Sequence, residues 1–264
     1  MSAAFVSSRR HGLYVDEAGT GRPALALHGL GGGAYFFRGL AVRMGLRHRV
    51  LAVDLPGTGS SPAPGGFSLQ DWVADLGEFV EREVREPVAL IGHSMGTIIA
   101  LEASAVWPQW IRGMVFIGGL PEVRTPVRER LSARATAMRA SGMAGWGAKV
   151  MPGIFSPATI AAKPEVVGLF ERLFETHDLA SYLRSLDILL GASATDRVPH
   201  VRVPCLAITG QDDQYAPPDD VRAFMADMHG APHDVAVMAD AGHMPFFEKP
   251  EELAGLVGAF LDRV

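Results

Sequence analysis

Cysteine is almost absent from this chain. The single Cys205 among 264 residues excludes an intramolecular disulfide and any zinc cluster built on several thiolates. Lysine is nearly as scarce, at positions 149, 163 and 249 only, so arginine carries most of the positive charge. Even so, 24 basic residues face 29 acidic ones, a net charge of −5. That balance argues against nucleic acid as the main partner, because phosphate binding draws on a basic face. No uninterrupted apolar run reaches the ~18 residues of a membrane span, and the opening MSAAFVSSRR lacks the apolar stretch of a signal peptide. The expectation is a soluble cytoplasmic protein with no membrane partner. Internal repeats and low-complexity tracts are missing as well.

What is present is a globular composition, 48% hydrophobic and 20% charged, which excludes global disorder. At ~150 residues per domain, the length suits one large α/β domain with an insertion as easily as two small domains. Short aliphatic runs recur at residues 24–27, 50–53, 88–91, 114–117, 205–208 and 235–238, each closed by Gly, Asp or another turn-prone residue. They read as strands buried on both faces of a mainly parallel sheet. Parallel strands need crossovers, and the intervals supply helices. Ser68 to Glu83 has a capping Ser68, Asp71 three residues on, and an apolar stripe of Trp72, Leu76, Phe79 and Val80. Thr97–Val106 and Glu251–Leu261 are two more. Strand alternating with helix predicts α/β architecture. From 121 to 199 the rhythm changes to helical patterning broken by Gly and Pro, with no convincing strand. It predicts a helical cap, 121–199, dividing a core made of 1–120 and 200–264.

Chemistry concentrates at predicted strand ends. Gly92-His93-Ser94-Met95-Gly96 follows a strand and opens a helix. A serine there sits on a tight turn that pushes its hydroxyl out, and the flanking glycines avoid collision with neighbouring strand and helix. A serine hydroxyl needs a base. His243, in AGHMPFFEKP after the last predicted strand, can reach the same edge. Its orienting carboxylate is Asp213 in TGQDDQYAP, with Asp212 and Glu122 as the other candidates. The order Ser94, Asp213, His243 is that of a nucleophile–acid–base triad on an open α/β sheet. The backbone N–H groups of Met95, at a helix N-terminus, and Leu30, after His28-Gly29, are the candidate oxyanion donors.

Taken together, HG at 28–29, DLPGTGSS at 54–61, GHSMG at 92–96, the Gly210-to-Asp213 step and GH at 242–243 with Glu248 and Pro250 resemble the α/β-hydrolase superfamily across essentially the whole chain. The resemblance implies a mostly parallel eight-stranded sheet flanked by helices, with a helical cap inserted after strand six. It also implies a serine hydrolase needing no cofactor and no metal. Within the superfamily the chain looks most like small capped carboxylester and lactone hydrolases, 3-oxoadipate enol-lactonases among them; RATAMRASGM and PEVVGLFERLF are similar to that group's cap. The expected substrate is a small-molecule ester or lactone. Ser94 argues against dehalogenases and epoxide hydrolases, which use aspartate. Carbon–carbon hydrolases of the meta-cleavage-product type remain, although Leu30-Gly31-Gly32 lacks their proline and Met244 stands where they carry Trp. A slow ligand receptor on this fold remains too.

The other histidines and acids have quieter readings. His28 supports the oxyanion loop through backbone hydrogen bonds, His93 fills the elbow, Asp54 caps the loop after its strand, and Cys205 is a small buried hydrophobe. In the cap, Met138, Met143, Trp146 and Phe155 are candidates for its underside, where they would line the substrate pocket. The same apolar surface could form a homodimer contact. Arginines 124, 128, 130, 134 and 139 form a basic run. The run reads either as a solvated helix face or as the source of one guanidinium, Arg134 or Arg139, that binds a substrate carboxylate. If Ser94 is the nucleophile, Ser94→Ala lowers kcat by a factor on the order of 10⁶. A loss below roughly tenfold in steady-state assays, free of contaminating hydrolases, removes Ser94 from that role.

Overall fold

The structure is a computed structural model that describes residues 2–7, 12–44, 47–63 and 65–264. Met1, Ser8, Arg9 and Arg10 of the opening stretch therefore lie outside the described residues. Eight strands form one sheet in the order β1-β2-β4-β3-β5-β6-β7-β8. They are β1 (Ser2–Ser7), β2 (Gly12–Ala18), β3 (Pro23–Leu27), β4 (Arg49–Asp54), β5 (Val88–His93), β6 (Ile111–Ile117), β7 (Cys205–Gly210) and β8 (His233–Met238). β1 pairs antiparallel with β2, and β2 antiparallel with β4; from β4 across to β8 every pair is parallel.

The central strands are aliphatic because both faces are covered: every residue of β3, β5 and β7 is buried. Helices do the covering. They include α1 (Arg38–Arg43), α2 (Leu69–Phe79), α3 (Met95–Val106) and, beyond the insertion, α9 (Pro218–Ala226), α10 (Pro245–Glu248) and α11 (Pro250–Leu261). At the start of α2 the Ser68 hydroxyl accepts the Asp71 N–H while the Asp71 carboxylate accepts the Ser68 N–H, so two orphan donors of the first turn are satisfied together. Trp72, Leu76, Phe79 and Val80 are all buried, as their spacing predicts. The apolar stripe of α11 likewise buries Leu253, Val257 and Phe260.

Two expectations change. The antiparallel pair β1–β2 is not among the aliphatic runs. In β2 the buried Leu13 and Val15 alternate with Gly12, Tyr14 and Asp16 instead of forming a continuous aliphatic run. β8, expected to be buried on both faces, is an edge strand: His233 and Asp234 are exposed, and Val237 is 37% exposed.

Between β6 and β7 the chain leaves the sheet and builds α4 (Thr125–Ser141), α5 (Gly147–Val150), α6 (Pro157–Ala162), α7 (Pro164–Glu175) and α8 (Leu179–Gly191). The two ends of this insertion meet at an antiparallel bridge between Glu122 and Ser193 and at an Ala194 N–H to Pro121 C=O bond of 2.8 Å. No helix of the described residues is long and apolar enough to cross a membrane.

Sheet order fixes where chemistry can collect. β4 lies on one side of β3 and β5 on the other, so the chain reverses direction of winding between β3 and β5. Crevices of open α/β sheets form at such switch points, beyond the carboxyl ends of the strands. The loop at residues 28–33 follows β3 and Ser94 follows β5, one on each side of the switch. α3 comes very close to the sheet here: a Cβ on Gly96 would lie 2.2 Å from the Leu27 carbonyl oxygen, and one on Gly92 would lie 2.5 Å from that of Gly96. Gly96→Ala must therefore push α3 off β3. At roughly 1–3 kcal/mol for overpacking and about 2–4 °C per kcal/mol in a chain of this size, the melting temperature falls by roughly 2–12 °C. A melt within 1 °C of wild type would show that the helix and strand are not in that contact.

Candidate active site

The backbone of Ser94 is strained. It has φ 52° and ψ −116°, a region that non-glycine residues rarely occupy. Its N–H donates to the Ile117 carbonyl (2.9 Å) and its carbonyl accepts the Thr97 N–H (2.9 Å). β6 and α3 thus pin the turn from both sides. Met95 opens α3, where the first N–H groups have no intrahelical acceptor. The β3 loop abuts this turn: a Cβ on Gly29 would stand 2.8 Å from Ser94 Cβ.

That loop is held from beneath by His28 and Asp54, both buried. The Leu55 N–H donates to His28 Nε2 (3.1 Å), which places the proton on Nδ1, and Nδ1 donates to the Gly29 carbonyl at 2.8 Å. Burial pushes the His28 pKa below its ordinary value, in keeping with this neutral tautomer. Asp54 accepts the Ala34 N–H at 2.6 Å and the Ser60 N–H at 2.8 Å, so one carboxylate joins the β3 loop to the β4 loop.

His243 and Asp213 form a buried pair. His243 Nδ1 lies 2.9 Å from Asp213 Oδ2 and 3.1 Å from Oδ1. Asp213 Oδ1 also accepts the backbone N–H groups of Tyr215 (2.8 Å) and Ala216 (2.9 Å). Burial alone would raise the Asp213 pKa; the His243 ring and these N–H groups outweigh it and hold the carboxyl below its ordinary value. With Nδ1–H donated to a carboxylate, Nε2 keeps its lone pair. Asp212 and Glu122, the other candidate acids, are exposed and hold no hydrogen bond to His243 among the described residues. Gly118, at φ 53°, lies directly against the pair, with a Cβ there 3.0 Å from Asp213 Oδ2 and 3.1 Å from His243 Nδ1. Its role was not evident from the sequence, where GGLP reads only as a strand end.

The His243 loop is bound to the insertion. The His243 N–H donates to the Ile154 carbonyl at 2.7 Å. Buried Glu248 accepts the N–H groups of Gly242 (2.9 Å), Met244 (3.0 Å) and Ser156 (2.8 Å). Lys163 caps the carbonyls of Phe247 (3.1 Å) and Glu248 (3.0 Å). On the other side, His93 Nε2–H donates to the His243 carbonyl at 2.9 Å.

Ser94 and His243 share the wall of one cavity between the sheet edge and the insertion. Leu30, Phe36 and His93 line its core side, and Leu131, Arg134, Met151, Phe170 and Tyr182 its insertion side. A second, smaller space meets it at Ser94 and is lined by Met95, Gly119 and Glu122. Leu30 and Arg134 thus line this cavity, and Met95 lines the adjoining space.

Other expected pocket residues lie elsewhere. Met138 is fully buried, but it sits seven residues beyond Leu131 on α4, roughly 10 Å along the axis. Met143 is buried past the end of α4. Trp146 donates its indole N–H to Ser141 Oγ at 3.1 Å and has the Lys149 ammonium 4.6 Å from its ring, so it belongs to the outer surface. Phe155 packs edge-on behind Phe170, with centroids 5.4 Å apart, one layer back from the cavity. Arg139 follows Arg134 by five residues, about 140° around the helix, and pairs with Asp187 on the exposed face at 2.7 Å.

Comparison with known proteins agrees with this architecture. An esterase from Thermogutta terrifontis, solved with malate bound, superposes with a TM-score of 0.89 at 21% identity, covering 100% of this chain and 99% of that one. The enol-lactonase from Burkholderia xenovorans LB400 also gives 0.89, at 22% identity, covering 98% and 100%. In sequence, a protein of Yersinia enterocolitica named "Putative carbamate hydrolase RutD" is 25% identical over 261 residues, 94% of this chain and 92% of its own. Residues 24–256 match the Alpha/beta hydrolase family, and the chain belongs to it.

One consequence for stability follows from His93. Burial, and secondarily the His243 ring, push its pKa down to about 3. The unfolded chain takes up this proton near pH 6.5, so the native state loses stability as pH falls from about 6.5 towards 3, at up to about 1.4 kcal/mol per pH unit. Denaturant titrations at pH 7 and pH 5 should show this decline, and His93→Gln should flatten it. An equal decline in the variant would assign the acid sensitivity to other groups.

Proposed function

We propose that this hydrolase cleaves a carboxylic ester or lactone of a small molecule through an acyl-enzyme. The strained Ser94 turn, set in one cavity wall with the His243–Asp213 pair, carries this reading. Ser94 Oγ attacks the carbonyl carbon as His243 Nε2 takes its proton. Asp213 keeps the imidazole in the required tautomer and stabilises its charged form. The N–H groups of Met95 and Leu30 receive the developing oxyanion; the first has the partial positive charge of a 12-residue helix behind it. His243 then returns the proton to the leaving alcohol, or to the far end of an opened lactone. Water, deprotonated by the same imidazole, attacks the acyl carbon and frees Ser94.

Two spaces meeting at Ser94 suit an acyl part and a leaving part of unequal size. The enol-lactonase and esterase likenesses support an ester or lactone, and the carbamate-hydrolase relative adds a carbamate carbonyl to the range worth testing.

The test is steady-state hydrolysis of p-nitrophenyl esters of graded acyl length, small lactones and an aryl carbamate, with Ser94→Ala and Asp213→Asn alongside. The expected result is Ser94-dependent turnover with a clear length or ring preference. Asp213→Asn should retain the pocket yet lose on the order of 10⁴ in kcat. Serine-independent rates throughout would overturn the acyl-enzyme, and turnover of dienone substrates alone would move the assignment to carbon–carbon hydrolysis.

A further inference from the structure

The Asp213 contact fixes one edge of the His243 imidazole and leaves the plane of the ring to its neighbours. Two rings stand against it. His93 lies 5.0 Å away between centroids at 48°, and Tyr215 lies 4.8 Å away at 38°. They offer different things to a base that becomes a cation in mid-reaction. The His93 Nε2–H is committed to the His243 carbonyl, and the two imidazoles disfavour each other's charge. Tyr215 presents a phenol ring, whose face is negative and attracts a cation within ~6 Å of its centroid.

Tyr215 is not a core filler. It is half-buried and stands in the walls of both spaces that meet at Ser94. Its place is fixed from two sides. Its own N–H and that of Ala216 donate to Asp213 Oδ1, a local turn that sets the backbone. From the insertion, the Arg130 guanidinium on α4 lies over the ring, 5.5 Å from its centroid. Arg130 also reaches Gln214 Oε1 and the Gln214 carbonyl, both at 3.4 Å. One residue thus touches the acid through its main chain and the base through its ring.

Resting on the acyl-transfer reading above, we infer that Tyr215 is a positioning residue for His243, its ring limiting the swing of the imidazole and stabilising the imidazolium that forms during turnover. When the Ser94 Oγ–H bond breaks and an Nε2–H bond forms, a neutral imidazole becomes a cation against the Tyr215 face. The contact is then stronger in the transition state than in the ground state, the condition for raising kcat. Other groups also face this imidazole: Asp213 from the β7 loop, His93 from the end of β5, and Glu248 through the Gly242 and Met244 N–H groups. The insertion contributes the Ile154 carbonyl and, in the same cavity wall, Arg134. All of them stay in place when only the Tyr215 side chain is changed.

The test is an NMR titration of the imidazole Cε1–H signals in wild type, Tyr215→Leu and Tyr215→Phe, with His243→Gln to assign the signal. Loss of the ring disfavours the imidazolium, so in Tyr215→Leu the His243 midpoint should fall by about 0.5–1.5 in pH, the scale of a cation–π contact. Tyr215→Phe, which keeps the face, should recover most of the fall. In p-nitrophenyl ester hydrolysis, kcat of Tyr215→Leu should drop about 3- to 30-fold with KM changed by less than about 3-fold. The acid limb of its kcat/KM profile should move to lower pH, as the midpoint does. A midpoint unchanged or raised in Tyr215→Leu, a Tyr215→Phe as impaired as Tyr215→Leu, or a loss confined to KM overturns the proposal. If Tyr215→Leu does not fold, Tyr215→Met is the second variant without a ring, with the same expected and overturning results. Wild type without ester turnover rejects the hydrolase reading instead, and the titration still decides the ring contact.

Discussion

One buried carboxylate, Glu248, holds the reactive edge of the sheet together. A lone charge in the interior is heavily penalised unless its oxygens are satisfied. Here three backbone N–H groups satisfy them, two from the His243 loop and one from the insertion at Ser156. The adjacent His243 N–H closes the same joint on Ile154. Side-chain position in the imidazole thus depends on main-chain bonds to a segment that belongs to the wall of the substrate cavity. The base and the pocket wall are one rigid piece at this corner.

The same logic recurs on the opposite side of the crevice. Asp54 and His28 are buried polar groups aimed at backbone, and they hold the loop that abuts Ser94. His93 does so for the His243 carbonyl. Four buried ionisable side chains therefore act on backbone rather than on substrate. A crevice lined largely by main chain needs such braces, because loops at a switch point have no ladder of their own.

Much of this was legible in advance because turn chemistry is local. The strands at 24–27, 50–53, 88–91 and 205–208 announce themselves by continuous aliphatic runs. Ser94, Asp213 and His243 announce themselves by the glycines and prolines around them. The capping box at Ser68 and the stripe of α2 could be read residue by residue. Legibility failed where a neighbour decides. β2 escapes notice because Tyr14 and Asp16 interrupt its aliphatic residues and its second partner, β4, is distant in sequence. β8 looks like a core strand but has no strand beyond it. On α4, periodicity separates inside from outside, yet Met138 and Leu131 share the same stripe and only Leu131 reaches the cavity. Trp146 and Phe155 show the same limit: an aromatic near a pocket can face outward or stand one layer behind.

The His93 bond to the His243 carbonyl joins residues 150 positions apart. Ser94 is translated with the first half of the chain, whereas His243 follows the last strand. The Ile117 carbonyl that pins the Ser94 turn also precedes that imidazole in the chain. Bringing Ser94 and His243 together therefore waits on the last strand of the sheet.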